Sequence, residues 1–134
     1  MASTLFAKAK KAFLDGEIDL LDDTIKVLLV DSADYTLDLA AHDFLDDIPE
    51  GARVATSGAL AGKSTTGGVF DADDITITGV SGDQFEYLIL IKDTGTPATS
   101  NLIACIDTAS GLPYTPSGDV PIQWDSGASK IFAM

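Results

Sequence analysis

The stretch FEYLILIKDTGTPATSNLIACID, residues 85–107, decides the fold. Its first part alternates as a strand does: Phe85, Tyr87, Ile89 and Ile91 share one face, and Glu86, Leu88, Leu90 and Lys92 share the other. The second part repeats the pattern, with Leu102, Ala104 and Ile106 opposite Ile103 and Cys105. Both segments are therefore apolar on both faces at mid-strand, which suits the interior of a packed structure rather than a solvated edge. Between them, Gly95, Pro97 and a series of threonines interrupt the pattern, so an antiparallel hairpin is expected. Such a hairpin is the spine of an antiparallel β-sandwich or Greek-key barrel.

The flanking sequence extends that reading. Residues 24–31, TIKVLLVD, predict a second interior strand, with Ile25, Val27 and Leu29 on one face and Leu28 and Val30 on the other. Ile75 and Ile77 mark a period-two strand with both side chains inward, and Ser81-Gly82-Asp83 is expected to turn it into the central hairpin. Residues 52–60 predict a modest strand and residues 61–68, AGKSTTGG, an exposed loop. Residues 41–47 suggest a helical turn burying Phe44 and Leu45. After Asp107 a Gly- and Pro-punctuated loop leads to a strand at residues 120–124, where Pro121 favours an edge. A turn at residues 125–127 and a segment at residues 129–132 then close the sheet. Short strands at close intervals mark an all-β architecture.

The amino-terminal segment differs. Ser3 or Thr4 can cap a short helix running to about Leu14, with Leu5, Phe6, Ala9, Ala12 and Phe13 on one side and Lys8, Lys10 and Lys11 on the remainder. Asp15-Gly16 stops it. The organisation expected is a single β-rich domain over residues 1–134, mainly β, with residues 1–16 as an N-terminal helix or arm and residues 22–134 as the sandwich. The size of the chain, 134 residues, suits one domain with a genuine core.

Charge narrows the partners. Eight basic residues stand against 21 acidic ones, a formal net charge of −13. A nucleic acid or an anionic membrane would be repelled, so neither is expected as a partner. The lysines near the start invite a signal-peptide reading, but the next residues, AFLDGEIDLLDD, are too acidic for its apolar region, so export by that route is not expected. The three lysines read most simply as a solvated helix face. The sharper reading is an electrostatic tether onto an acidic neighbouring subunit.

Chemistry-bearing motifs are sparse, and no cofactor and no enzymatic activity are expected. Gly62-Lys63-Ser64 invites a phosphate-loop reading, but the G-x-x-x-x-G-K-S/T pattern needs glycine where Ser57 stands, and the adjoining TTGGVFDADD is a poor helix former. Asp71, Asp73 and Asp74 form an acidic cluster that a hard cation could use, yet the helix-loop-helix calcium signature is absent and a solvated turn is the simpler reading. His42 is the single histidine and Cys105 the single thiol; the first lacks an oriented partner in sequence, and the second lies mid-strand as inert packing. No metal site is expected from them. Trp124, Tyr114 and Tyr35 could stack on a sugar, although Trp124 alternates with Ile122 toward the core.

The stretches LFAKAKKAFLDGEIDLLDDTIKVLLVD, HDFLDDIPEGARVATSGALAGKS and WDSGASKIF carry a resemblance to small virion structural proteins of tailed bacteriophages. The resemblance spans nearly the whole chain, through motifs that are descriptive rather than catalytic. It implies a capsid decoration (cement) protein on the capsid surface of the virion, a small β-rich clip over the junctions between copies of the major capsid protein. It also implies a homo-oligomer, often a trimer. No catalytic residues come with it. Together with the charge contrast, it makes Leu5, Phe6, Lys8, Lys10 and Lys11 the expected capsid contact. The rival readings are a neck, tail or fibre component of the same virion class, and a sugar-binding adhesion module.

Overall fold

Strands β6, Tyr87–Lys92, and β7, Leu102–Ile106, form the antiparallel hairpin, running from Leu88 opposite Ile106 to Ile91 opposite Leu102 with a bulge after Leu90. The computed structural model describes residues 3–107, 112–124, 127 and 130–133. Every residue of β7 is buried, as are the four central residues of β6. That is what two-sided apolar strands require, since either face left in water would forgo about 1.5–3 kcal/mol for each large aliphatic side chain.

Around the hairpin the chain lays down β1, Ser3–Leu5; helix α1, Ala7–Leu14; β2, Ile25–Val30; β3, Arg53–Thr56; β4, Val69–Phe70; β5, Ile75–Ser81; β8, Ser117–Ile122; and β9, Phe132–Ala133. The main sheet is antiparallel and five-stranded, in the order β1-β7-β6-β2-β3. β2 is interior, paired to β6 on one side and β3 on the other. Two ribbons, β5 with β8 and β4 with β9, complete a mainly β, β-sandwich-like arrangement with one short N-terminal helix. Phe70, Ile77, Val80, Val120, Ile122 and Phe132 from the ribbons join Ile25, Leu28, Ile89 and Leu102 from the sheet in one apolar core.

Several expectations need correction. Ser3 and Thr4 do not cap the helix; they belong to β1, which adds to the free edge of β7, and the residue before the helix is Phe6, with no side-chain cap. Ser3 instead donates its hydroxyl to the Ile131 carbonyl at 2.7 Å. The N-terminal segment thus enters the sheet through β1 before the expected short helix, α1, begins. β5 does not enter the central hairpin: its partner is β8, with a bulge between Ile77 and Val80, and Ile75 is only half-buried. Near residue 44 the turn is a 3-10 turn at Leu45–Asp47 that leaves Phe44 and Leu45 half-buried, while Ile48 is the fully buried side chain. The C-terminal strand pairs with β4 rather than with the main sheet. The part of the expected loop at residues 108–111, and positions 125, 126, 128 and 129 of the expected turn and closing strand, lie outside the described residues.

Candidate functional site

The helix α1 is anchored from within. Phe6, immediately before it, is fully buried, Ala9 and Ala12 face the core, and the Phe13 ring lies 6.4 Å from that of Phe132. Main-chain bonds hold its ends: Ala7 N–H donates to Leu39 O at 2.8 Å, and Glu17 N–H to Ala12 O at 2.8 Å. Gly16, at φ 76°, turns the chain away in a left-handed conformation that favours glycine. With three residues fixed inward, the helical period sends Lys8, Lys10, Lys11 and Leu14 outward, and all four are exposed.

Of the five expected contact residues, the structure therefore presents three. Lys8, Lys10 and Lys11 are exposed, with Lys10 and Lys11 on the side away from the core and Lys8 on the opposite flank from Lys10; Leu5 is half-buried, and Phe6 belongs to the core and offers no surface. Lys11 is also partly committed, since its ammonium is bonded to Asp15 one turn on, and that hydrogen bond, reinforced by the carboxylate charge, raises its pKa. Lys8 and Lys10 make no hydrogen bond or ion pair among the described residues, although the Lys8 charge acts on Asp43, where it opposes the upward shift of that carboxyl. The other cations are all engaged within the domain. Lys26 pairs with Asp93 at 2.6 Å, Lys92 with Asp23 at 3.4 Å and Lys130 with Asp71 at 3.3 Å. Arg53 bonds the Ile48 and Leu45 carbonyls at 2.9 and 3.0 Å, and Lys63 bonds Asp23 O at 2.5 Å.

Leu14 escaped the sequence reading, which ended the helix there without assigning it a face. Its signal was available in the helical period: it lies four residues beyond Lys10 and three beyond Lys11, on the polar stripe. It is 86% exposed, and Leu21 is 50% exposed.

The remaining candidates are absorbed by the fold. Lys63 of the glycine-containing loop is tied to Asp23, and Ser64 bridges to Asp71 through main-chain bonds of 2.9 and 3.0 Å. The acids 71, 73 and 74 diverge in role. Asp71 pairs with Lys130, Asp74 accepts the Trp124 N–H at 2.8 Å, and the Asp73 carbonyl accepts Trp124 Nε1–H at 3.1 Å. A different trio, Asp31, Asp34 and Asp83, brings carboxylate oxygens within 4.8 Å of one another across the end of β2 and the turn after β5. Asp31 already accepts the Ala33 N–H at 2.9 Å.

His42 Nδ1 and the Tyr35 hydroxyl lie 2.7 Å apart, and burial pushes the Tyr35 phenol pKa up. Close by, burial and a hydrogen bond to Asp47 raise the Asp43 carboxyl. Asp47 goes the other way: burial opposes its charge, but the N–H groups of Asp43 and Phe44 outweigh it and lower the pKa. Burial pushes the Cys105 thiol up to about 12, leaving negligible thiolate at neutral pH. Trp124 and Tyr35 are buried, and Tyr114 packs at a tilt on Phe85, centroids 5.6 Å apart, so the three aromatics form no shared exposed platform. No helix among the described residues is long and apolar enough to cross a membrane.

The chain matches no protein-family model, and no curated protein matches it.

Proposed function

We propose that the chain is a non-enzymatic structural protein of a tailed-phage virion, a capsid decoration protein that binds across junctions of the major capsid protein and stabilises the head. The observation that carries this reading is the exposed surface of α1, where Lys10 has no ion pair, Lys11 is in a local one and Lys8 acts on Asp43 only through its charge, on a chain of net charge −13. A binding protein needs a face whose charge its own domain does not consume, on an element rigid enough to lose little entropy on docking. The core anchoring of α1 supplies that rigidity. The groups best suited to nucleophilic or acid–base chemistry are engaged in the fold: Cys105 is buried and protonated, and His42 Nδ1 faces the Tyr35 hydroxyl. The acidic exterior suits a part that must not adhere to the packaged genome. A homo-oligomer on the head surface completes the reading.

A gel of purified particles with quantified bands tests the assignment. Decoration of the head requires copy numbers on the scale of the major capsid protein. A few copies per particle would move the chain to the neck, tail or fibre, and absence from particles would overturn the reading. Replacing Lys8, Lys10 and Lys11 by Glu should lower head occupancy in sedimentation while thermal unfolding stays cooperative. Unchanged occupancy would remove α1 as the contact.

A further inference from the structure

We propose that the hydrogen bond between the Tyr35 hydroxyl and His42 Nδ1 is a proton-operated latch on the loop that seats the first turn of α1, closed while the imidazole is neutral and released when it is protonated. The inference goes beyond the head reading, since it concerns how α1 is held whatever surface the helix meets.

The loop is where the helix finds its cap. α1 opens without a side-chain cap, so its first N–H groups need acceptors from elsewhere. Ala7 N–H takes the Leu39 carbonyl at 2.8 Å. Leu39 lies within a loop closed on itself. His42 N–H donates to Asp38 O at 3.1 Å, and Asp38 Oδ1 accepts the N–H groups of Ala40 and Ala41 at 3.1 and 3.0 Å. The 2.7 Å contact between Tyr35 and His42 ties this loop to the interior, because Tyr35 is 4% exposed and its ring lies 5.3 Å from the imidazole.

Donor and acceptor roles set the direction of the latch. The Tyr35 oxygen accepts the Asp38 N–H, which leaves its own proton for His42 Nδ1. Nδ1 is therefore the bare nitrogen, and Nε2 carries the ring hydrogen. Protonation puts a hydrogen on Nδ1, so the acceptor vanishes and two donors converge on the phenol oxygen. A buried hydroxyl deprived of its acceptor is costly. The imidazolium has an alternative: its charge acts on Asp47, and Asp38 and Asp43 lie on the same segment. From the neighbouring elements, Lys8 of α1 acts on Asp43, and β7 presents Cys105 to Tyr35 as a neutral thiol. Arg53 of β3 is bonded to the Ile48 and Leu45 carbonyls. The carboxylates thus favour an imidazolium turned out, and the phenol favours a neutral ring turned in. Imidazole is the side chain whose charge ordinarily changes between about pH 5 and 8, which makes these two arrangements a switch.

Amide exchange read residue by residue at about pH 8 and about pH 5 is the test, expressed as protection so that the intrinsic pH dependence of exchange divides out. Ala7 protection should fall severalfold at the lower pH, on the scale of one hydrogen bond, while the β6 amides hold theirs. His42→Gln keeps a carbonyl acceptor without a titrating ring, so Ala7 should stay equally protected at both. Tyr35→Phe removes the latch, so Ala7 should be weakly protected at both. Nitrogen chemical shifts of the His42 ring at the higher pH should show Nδ1 bare and Nε2 protonated. Ala7 protection that does not change in the wild type, or a ring hydrogen on Nδ1, would overturn the latch. A fall that persists in His42→Gln would move the effect to the Asp43 and Asp47 carboxyls and overturn it as well.

Discussion

Lys26 Nζ lies 2.6 Å from Asp93 Oδ2, closing the point where β2 begins and β6 ends. Main-chain pairing reinforces the clasp, since Asp93 N–H donates to Thr24 O at 2.8 Å. The Lys26 hydrogen bond, helped by the Gly95 N–H, lowers the Asp93 pKa. A carboxyl whose folded pKa is depressed contributes stability above its unfolded value, near 3.9, and loses it as pH falls through the folded value. Asp93→Asn should cost about 1 kcal/mol at pH 7, both partners being largely but not fully buried. The difference from wild type should shrink below pH 4. Denaturant titrations at pH 7 and pH 3 would show it; an equal cost at both would rule out the charge as the cause.

Ser57 finishes what β3 cannot. Its hydroxyl accepts the Val27 N–H at 2.8 Å and donates to Gly58 O at 2.7 Å, in a buried position beside the central sheet. Ser57→Ala leaves the Val27 N–H without an acceptor and should cost about 1–3 kcal/mol. Hydrogen exchange would localise the loss, with Val27 the amide whose protection falls most.

Gly62 adopts φ 63°, and a β-carbon there would overlap the Asp73 carboxylate. Two costs are separable because Asp73 is exposed and able to swing away. Gly62→Ala should destabilise by about 1–2 kcal/mol from its left-handed backbone, plus whatever displacing Asp73 adds. In an Asp73→Ala background only the backbone cost should remain. A thermal-melt double-mutant cycle reads the difference, and strict additivity would refute the clash.

Cys105 should be silent to thiol reagents at pH 8 until the chain unfolds, so that labelling tracks global opening. Its thiol is held at about 12 mainly by burial and secondly by Asp107. A group whose folded pKa is raised contributes stability below its unfolded value and loses it as pH rises, so this contribution should decline above about pH 8.5. Cys105→Ala should remove that alkaline decline. Rapid labelling of native protein would contradict the packing.

The sheet was legible where one segment carries its own reason. β2, β6 and β7 announce themselves through apolar residues on both faces, a pattern that few structures other than an interior strand satisfy. Strand partners were not legible. Periodicity marks Ile75 and Ile77 as strand residues but says nothing of β8, which becomes the neighbour only through long-range packing. β1 was hidden because Ser3 and Thr4 are also good helix caps, and the free edge of β7 that outcompetes that role lies far along the chain. On α1 the lysines were readable from charge alone. The exclusion of Phe6 and the prominence of Leu14 needed the helix's rotation, which the core sets.

β1 pairs Ser3 with Ile106, joining segments about a hundred residues apart in sequence. During synthesis β1 must therefore wait, unpaired, until β7 has left the ribosome, and contacts of such long range make for slow folding. A nascent chain arrested before residue 102 has no edge on which to dock β1. The folded setting of α1, which follows β1 directly, thus depends on a strand made much later.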